Sequence, residues 1–254
     1  MRFARLLFLC AASLMTGAAV MAQEAPITID PLGVKLSPSA RSGAIAVKNR
    51  STTKRSFIVY AHSWQQGENG ADDYGDADDL VYFPRRLDLA PGAEAVIRLG
   101  VRVPARGKEA SYRLFIEEDP EAERPEQPAP VEGGAIIRFR MRFALPVFVA
   151  PQVPRDSLKV SAAQAKAGKL EVTVENGGNR HEDITIAFAK SDGSALDVPV
   201  AKPKPGYLLA GTSIRYVADL DAAACKSVRQ LTVLVQGKAT RGSAAFPVDP
   251  AMCD

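Results

Sequence analysis

The chain has 254 residues, 46% of them hydrophobic and 24% charged, an ordinary globular balance that excludes collagen-like, low-complexity and polyelectrolyte classes. Lys and Arg number 32 against 29 Asp and Glu, a formal charge of +3, and the charges are dispersed rather than gathered into the basic surface of a nucleic-acid-binding protein. Two histidines, His62 and His181, and three cysteines leave little material for a metal centre, so composition weighs against an enzyme.

The first element is an address. Arg2 and Arg5 precede an apolar run over residues 6–20, and Val20 and Ala22 put small residues at the −3 and −1 positions of a secretory cleavage site. Residues 1–22 are therefore expected to be removed before Gln23. The run is short for a membrane span of about 20 residues, and no later stretch is long and apolar enough to cross a bilayer. Loss of Arg2 and Arg5 leaves 30 basic against 29 acidic residues, a charge of +1. Loss of Cys10 leaves Cys225 and Cys253, an even pair outside the cytoplasm, which predicts a disulfide. It would close a loop of about 28 residues, worth about 3–4 kcal/mol by chain entropy. No close Cys-x-x-Cys pair exists, so its role is structural.

From Ile27 on, short β-rich runs alternate with Gly, Pro, Asn and Asp. Strands are predicted over residues 44–48, 56–64, 80–83, 95–103 and 111–117, followed by a long run over 135–150. Pro151 and Pro154 then mark a linker. A second series follows at 170–174, 184–189, 207–217 and 231–235, after a polar, Ala-rich opening at 162–168 that reads as either hairpin or loop. No window holds a 3.6-residue apolar period. Short strands at this spacing predict an all-β chain of two β-sandwiches, over residues 23–150 and 151–254.

The run over 135–150 differs from the rest. Ile137, Phe139, Met141, Phe143 and Leu145 recur at period two and share one face, while Arg138, Arg140, Arg142 and Ala144 share the other. As an isolated strand this reads as a long core strand, apolar inward and charged outward. Its context points further. A Glu-, Pro- and Gly-rich loop at 119–134 precedes it, Pro146 and Pro151 end it, and proline belongs at sheet edges. A long apolar edge strand is an aggregation hazard that soluble proteins avoid. Keeping one suggests a partner that pairs with it by strand addition.

The order and spacing of several short motifs resemble the periplasmic chaperones of the chaperone–usher pilus pathway, the PapD-like family, and its non-classical branch most closely. The residues that carry this begin with Asp30-Pro31, Leu36, Pro38, Val47-Lys48-Asn49 and Trp64-Gln65-Gln66-Gly67. They continue through Phe83-Pro84, Leu89-Ala90-Pro91-Gly92, Ile97-Arg98-Leu99, Tyr112-Arg113-Leu114 and Glu117-Glu118-Asp119-Pro120. Leu145-Pro146-Val147-Phe148-Val149-Ala150-Pro151 closes the first half. Gly206-Tyr207-Leu208-Leu209-Ala210-Gly211 resembles the family's Gly-Tyr-x-Leu-Pro-Gly turn, with Ala210 in place of proline.

The resemblance implies two immunoglobulin-like domains in a boomerang arrangement and a location in the periplasm. It implies pilin-like subunits and an outer-membrane usher as partners, and neither ATP nor another cofactor. The strand before the linker would be donated to a subunit that lacks the last strand of its own fold, with Ile137, Phe139, Met141 and Phe143 filling the subunit's groove. Classical members hold the subunit's C-terminal carboxylate with an Arg on the first strand and a Lys late in the donor strand. Those positions fall at Gly33 and Pro146 here. Non-classical members carry an Arg matching Arg113, which becomes the expected anchor, with Arg98 as support. The family's inter-domain Arg falls at Ala150. Free chaperone would either stay monomeric or cap itself as a homo-oligomer.

Other sites are set aside. The chain has no GxxxxGK[ST] phosphate loop and no GxSxG motif. His62 and His181 are too far apart in sequence for an i,i+4 metal pair and read as structural. The acidic stretch 68–79 fits no EF-hand spacing and reads as a solvated loop. Trp64 reads as core. The competing functional class is a secreted Ig-like structural or adhesive protein that self-associates through the same edge strand. A secreted hydrolase is disfavoured, since no nucleophile–base set is visible.

Overall fold

In the computed structural model, residues 26–67, 69–122, 139–166, 168–198 and 206–253 are described. Among the described residues the first half supplies ten strands: β1 (Ile27–Asp30), β2 (Val34–Leu36), β3 (Ser42–Asn49), β4 (Arg55–Gln66), β5 (Asp72–Gly75), β6 (Leu80–Phe83), β7 (Arg86–Leu89), β8 (Glu94–Val101), β9 (Ala110–Glu118) and β10 (Arg142–Val149). In most of them the apolar residues alternate, so the strand offers one face for burial, while much of β9 and β10 is buried on both faces. Ile45 and Val47 of β3, Ile97 and Leu99 of β8, and Tyr112, Leu114 and Ile116 of β9 all point into one core. Two sheets enclose that core, in the orders β1-β3-β8-β6 and β2-β10-β9-β4-β5, with β7 also on β4.

The second half repeats the plan with β11 (Leu158–Lys166), β12 (Lys169–Asn176), β13 (Glu182–Asp183), β14 (Thr185–Lys190), β15 (Ala195–Leu196), β16 (Tyr207–Leu208), β17 (Ser213–Asp219), β18 (Gln230–Gln236) and β19 (Arg241–Pro247). Leu170, Val172, Val174, Ile214, Tyr216, Val233 and Val235 form its core. Burial pushes the Tyr216 hydroxyl up to about 12. The Ala-rich opening is a hairpin: β11 and β12 pair to Lys166–Lys169 around Gly168, whose φ is +70°. A short α-helix, α1 (Ala222–Lys226), carries Cys225, which bonds to Cys253.

These are the two immunoglobulin-like sandwiches expected of the sequence, with further strands such as β1, β2, β7 and β19 and several local differences. The run 207–217 is two strands, because Gly211 (φ +66°) turns the chain between them. Asp72 and Asp73 belong to a paired strand rather than a solvated loop, since β5 adds to the end of β4. The long strand does not end at Pro146: β10 runs through it to Val149, and β2 joins alongside only from Val147 on. Gly33 makes that possible, because a Cβ there would lie 2.8 Å from the Pro146 ring. Among the described residues no helix is long and apolar enough to cross a membrane.

Candidate functional site

The sheet face opposite the first core is a tiled surface whose rows follow from strand register. Pro146 stands beside Arg113, and Arg113 beside His62. One row nearer the second sandwich, Lys35, Phe148, Ser111, Trp64 and Tyr74 lie side by side across five strands. Along the other direction Phe115 stacks on Tyr60 at 5.0 Å between centroids, and Arg142 lies 5.5 Å from the Phe115 ring. Glu117 accepts the Tyr60 hydroxyl at 2.6 Å.

The second sandwich docks on this face. Trp64, Phe148 and Leu209 form a small core of their own, with Tyr207 against it. The ring of His181 stacks on Phe148 at 3.6 Å, nearly parallel. Gln66 donates to the Tyr207 carbonyl at 2.8 Å and accepts from the Leu209 N–H at 2.9 Å. Glu109 accepts from His181 twice, from Nδ1 at 2.8 Å and from the backbone N–H at 2.9 Å, and both side chains are buried. Asn179 adds bonds to the carbonyls of Gly107 and Val153. Ala150, the expected position of the family's inter-domain Arg, has no charge to contribute, and the Glu109–His181 contact at this junction comes from other elements. Trp64 is buried, as expected, but between the two sandwiches rather than inside either.

Arg113 lies in the middle of this surface. Only 3% of it is exposed, and its guanidinium covers the Trp64 ring at 3.6 Å. Its Nε has no hydrogen-bond partner, and no carboxylate among the described residues forms an ion pair with it. Burial pulls its guanidinium below the ordinary value, and the charge of Asp72 and the hydroxyl of Tyr74 offset part of that. Burying a guanidinium with one of its N–H groups unsatisfied is costly and rare in a native structure. An oxyanion is the group that would satisfy it, since guanidinium donors match a carboxylate fork. Arg98 is not part of this arrangement. It sits exposed on β8, on the outer face of the other sheet, where it pairs with Ala44 and Phe83. Sequence spacing could not separate the two arginines, because their sheets become apparent only from strand order.

At the edge, the apolar row continues ahead of β10, which begins at Arg142, so that residues 139–141 of the expected long strand precede it and are not strand. Leu145, Val147 and Val149 are buried in the first sandwich, Met141 and Phe143 are half-buried against it, and Phe139 is 85% exposed. Glu118 pins the start of the strand, its N–H donating to the Met141 carbonyl at 2.9 Å. Ile137 and Arg138 lie outside the described residues.

Residues 26–154 match the PapD N-terminal domain, a family described as pili and flagellar-assembly chaperones. The chain belongs to this chaperone family. The family is one of assembly proteins, not enzymes. Among solved structures, the chain is similar to that of the CsuC–CsuE chaperone–tip adhesion subunit pre-assembly complex of Acinetobacter baumannii. That match has 18% identity and a TM-score of 0.58, and covers 87% of this chain and 98% of that one. It is also similar to the class 5 fimbriae chaperone CfaA, with 17% identity, TM-score 0.52 and coverage of 88% and 99%. The YadV chaperone matches at 12% identity, TM-score 0.55, and 87% and 100% coverage. At such identities the likeness speaks to the fold. No curated protein sequence matches the chain.

Proposed function

We propose that this PapD-family chain is a periplasmic chaperone that caps pilus subunits by donating the strand at 135–150, and that an outer-membrane usher later exchanges that strand. The observation that carries the reading is the edge of β10, which is open over its first half among the described residues. From Arg142 to Pro146 the strand pairs with β9 on one side, and β2 reaches its other side only at Val147. The row that seals this sandwich's core runs out along that edge through Phe143 and Met141 to Phe139. A subunit with an unfilled groove would accept main-chain hydrogen bonds from the edge and side chains from the row. Four large apolar side chains, Ile137, Phe139, Met141 and Phe143, would contribute about 6–12 kcal/mol before ordering costs. Two of them already pack in part on this chain, so the net gain lies toward the lower figure.

Arg113 is the proposed anchor for the subunit's terminal carboxylate. The unpartnered Nε supports it, as does its place beside Pro146 in the row where the family's classical cations would stand. Residues 1–22 are the proposed secretory signal, and the domains are proposed as 23–150 and 151–254, a division supported by two separate cores meeting at Trp64 and Phe148. The solved complexes to which the chain is similar contain tip adhesins and a pilin, which supports a subunit of that kind as partner. The reading is tested by Met141→Asp, which places a charge in the groove contact. Accumulation of the subunit should fall when this variant replaces the wild type. Unchanged accumulation would defeat strand donation and favour a self-associating structural module.

A further inference from the structure

The buried arginine has a carboxylate beside it with which it does not pair. Asp72 on β5 is committed elsewhere: its Oδ1 accepts the Trp64 indole N–H at 2.7 Å, and its Oδ2 accepts the Tyr74 hydroxyl at 3.0 Å. The Arg113 guanidinium lies 3.6 Å from the centre of that same indole. Asp72 and Arg113 are therefore neighbours across one aromatic ring, close enough for the aspartate charge to act on the guanidinium. A carboxylate this near would ordinarily swing into a forked ion pair. Here two donors hold both of its oxygens, and Arg113 Nε is left without an acceptor.

We propose that Asp72 is the internal counter-ion of Arg113, held off it by Trp64 and Tyr74, and that it sets how tightly the site takes an incoming carboxylate. The proposal rests on Arg113 being the carboxylate anchor. Asp72 offsets the cost of keeping a guanidinium buried in the free protein. It also opposes a second negative charge at the same place, which keeps a captured carboxylate releasable. Tyr74 tunes the balance, because its hydroxyl keeps one oxygen of Asp72 away from Arg113. Asp72 is a positioning residue and does not itself touch the ligand.

The protein carries its own reporter, since Trp64 is the only tryptophan in the sequence. The probe is N-acetylphenylalanine, with its uncharged amide as control, titrated at constant ionic strength and read by tryptophan emission. The wild type should respond saturably to the acid and not to the amide, and Arg113→Gln should not respond. Asp72→Asn keeps an oxygen for the indole N–H and removes the charge, so it should bind the acid about tenfold more tightly. Tyr74→Phe removes the hydroxyl that faces both Asp72 and Arg113, so the freed Asp72 oxygen can turn to the guanidinium and the variant should bind more weakly than wild type. Equal affinity in wild type and Asp72→Asn would overturn the role of Asp72 while leaving Arg113 as anchor. If Asp72→Asn does not fold, unchanged affinity in Tyr74→Phe overturns it instead. No carboxylate-dependent response in wild type or in either β5 variant would overturn the anchor and the proposal with it.

Discussion

Arg113 is an expensive residue to bury. A folded chain keeps such a group when the cost is recovered elsewhere, and here the recovery is proposed to come from a ligand. Arg113→Met keeps most of the volume against Trp64 and removes the unpaired charge. It should leave stability to urea unchanged or raised by about 1–3 kcal/mol, while carboxylate-dependent binding is lost. A clear loss of stability would mean that the guanidinium serves the fold instead. A second carboxylate gives a prediction in pH. The Ser56 hydroxyl, at 2.5 Å, and then Arg86 hold the Asp88 carboxyl below its ordinary value of 3.8. Its folded value lies below the unfolded one, so its contribution is complete above the unfolded value and lost as pH falls through the folded one. Asp88→Asn should flatten the acid side of a melting-temperature profile and leave its shape near neutral pH unaltered. An acid limb as steep as that of wild type would contradict this.

At the scale of elements, the strands with a clear period were legible in the sequence. β3, β4, β8, β9, β12, β14 and β18 stand within a residue or two of their predicted places, because each is a β-rich run bounded by turn residues. β5 and β7 were not legible: both are only four residues long, β5 is polar, and each exists as a strand by pairing with the long β4, β7 also burying Leu87 and Leu89. The apolar row of the last strand was legible, but not how it divides. Phe143 is half-buried on its own core and Phe139 is exposed, and only strand register separates them. The two should therefore respond differently to the same change. Phe139→Asp should cost no more than about 0.5 kcal/mol of stability and still abolish subunit binding. Phe143→Asp should cost about 2 kcal/mol or more as well, because it places a charge against the core. Denaturant unfolding beside a binding assay separates the two effects, and equal stability losses would contradict the division.

For the whole molecule, the decisive feature is a junction built from distant residues. Glu109 and His181 are 72 positions apart, Gln66 and Leu209 are 143 apart, and nothing local in the sequence marks either pair. Arg113 was reachable only through resemblance, and Asp72 lay in a stretch that composition described as a loop. The disulfide was legible from parity alone. Glu109→Ala would leave a buried imidazole and the His181 N–H without their acceptor, a change worth about 2–4 kcal/mol at the junction. Calorimetry should then show the two sandwiches melting separately, whereas one undivided transition would mean that the aromatic cluster alone holds them. Strand donation is the central claim, and its most direct test is purification of the tagged mature chain from the periplasm, with each co-purifying band identified by mass. The account predicts an equimolar subunit with an incomplete immunoglobulin fold, lost on Phe139→Asp. A homo-oligomer with no subunit, unaffected by that substitution, would contradict it.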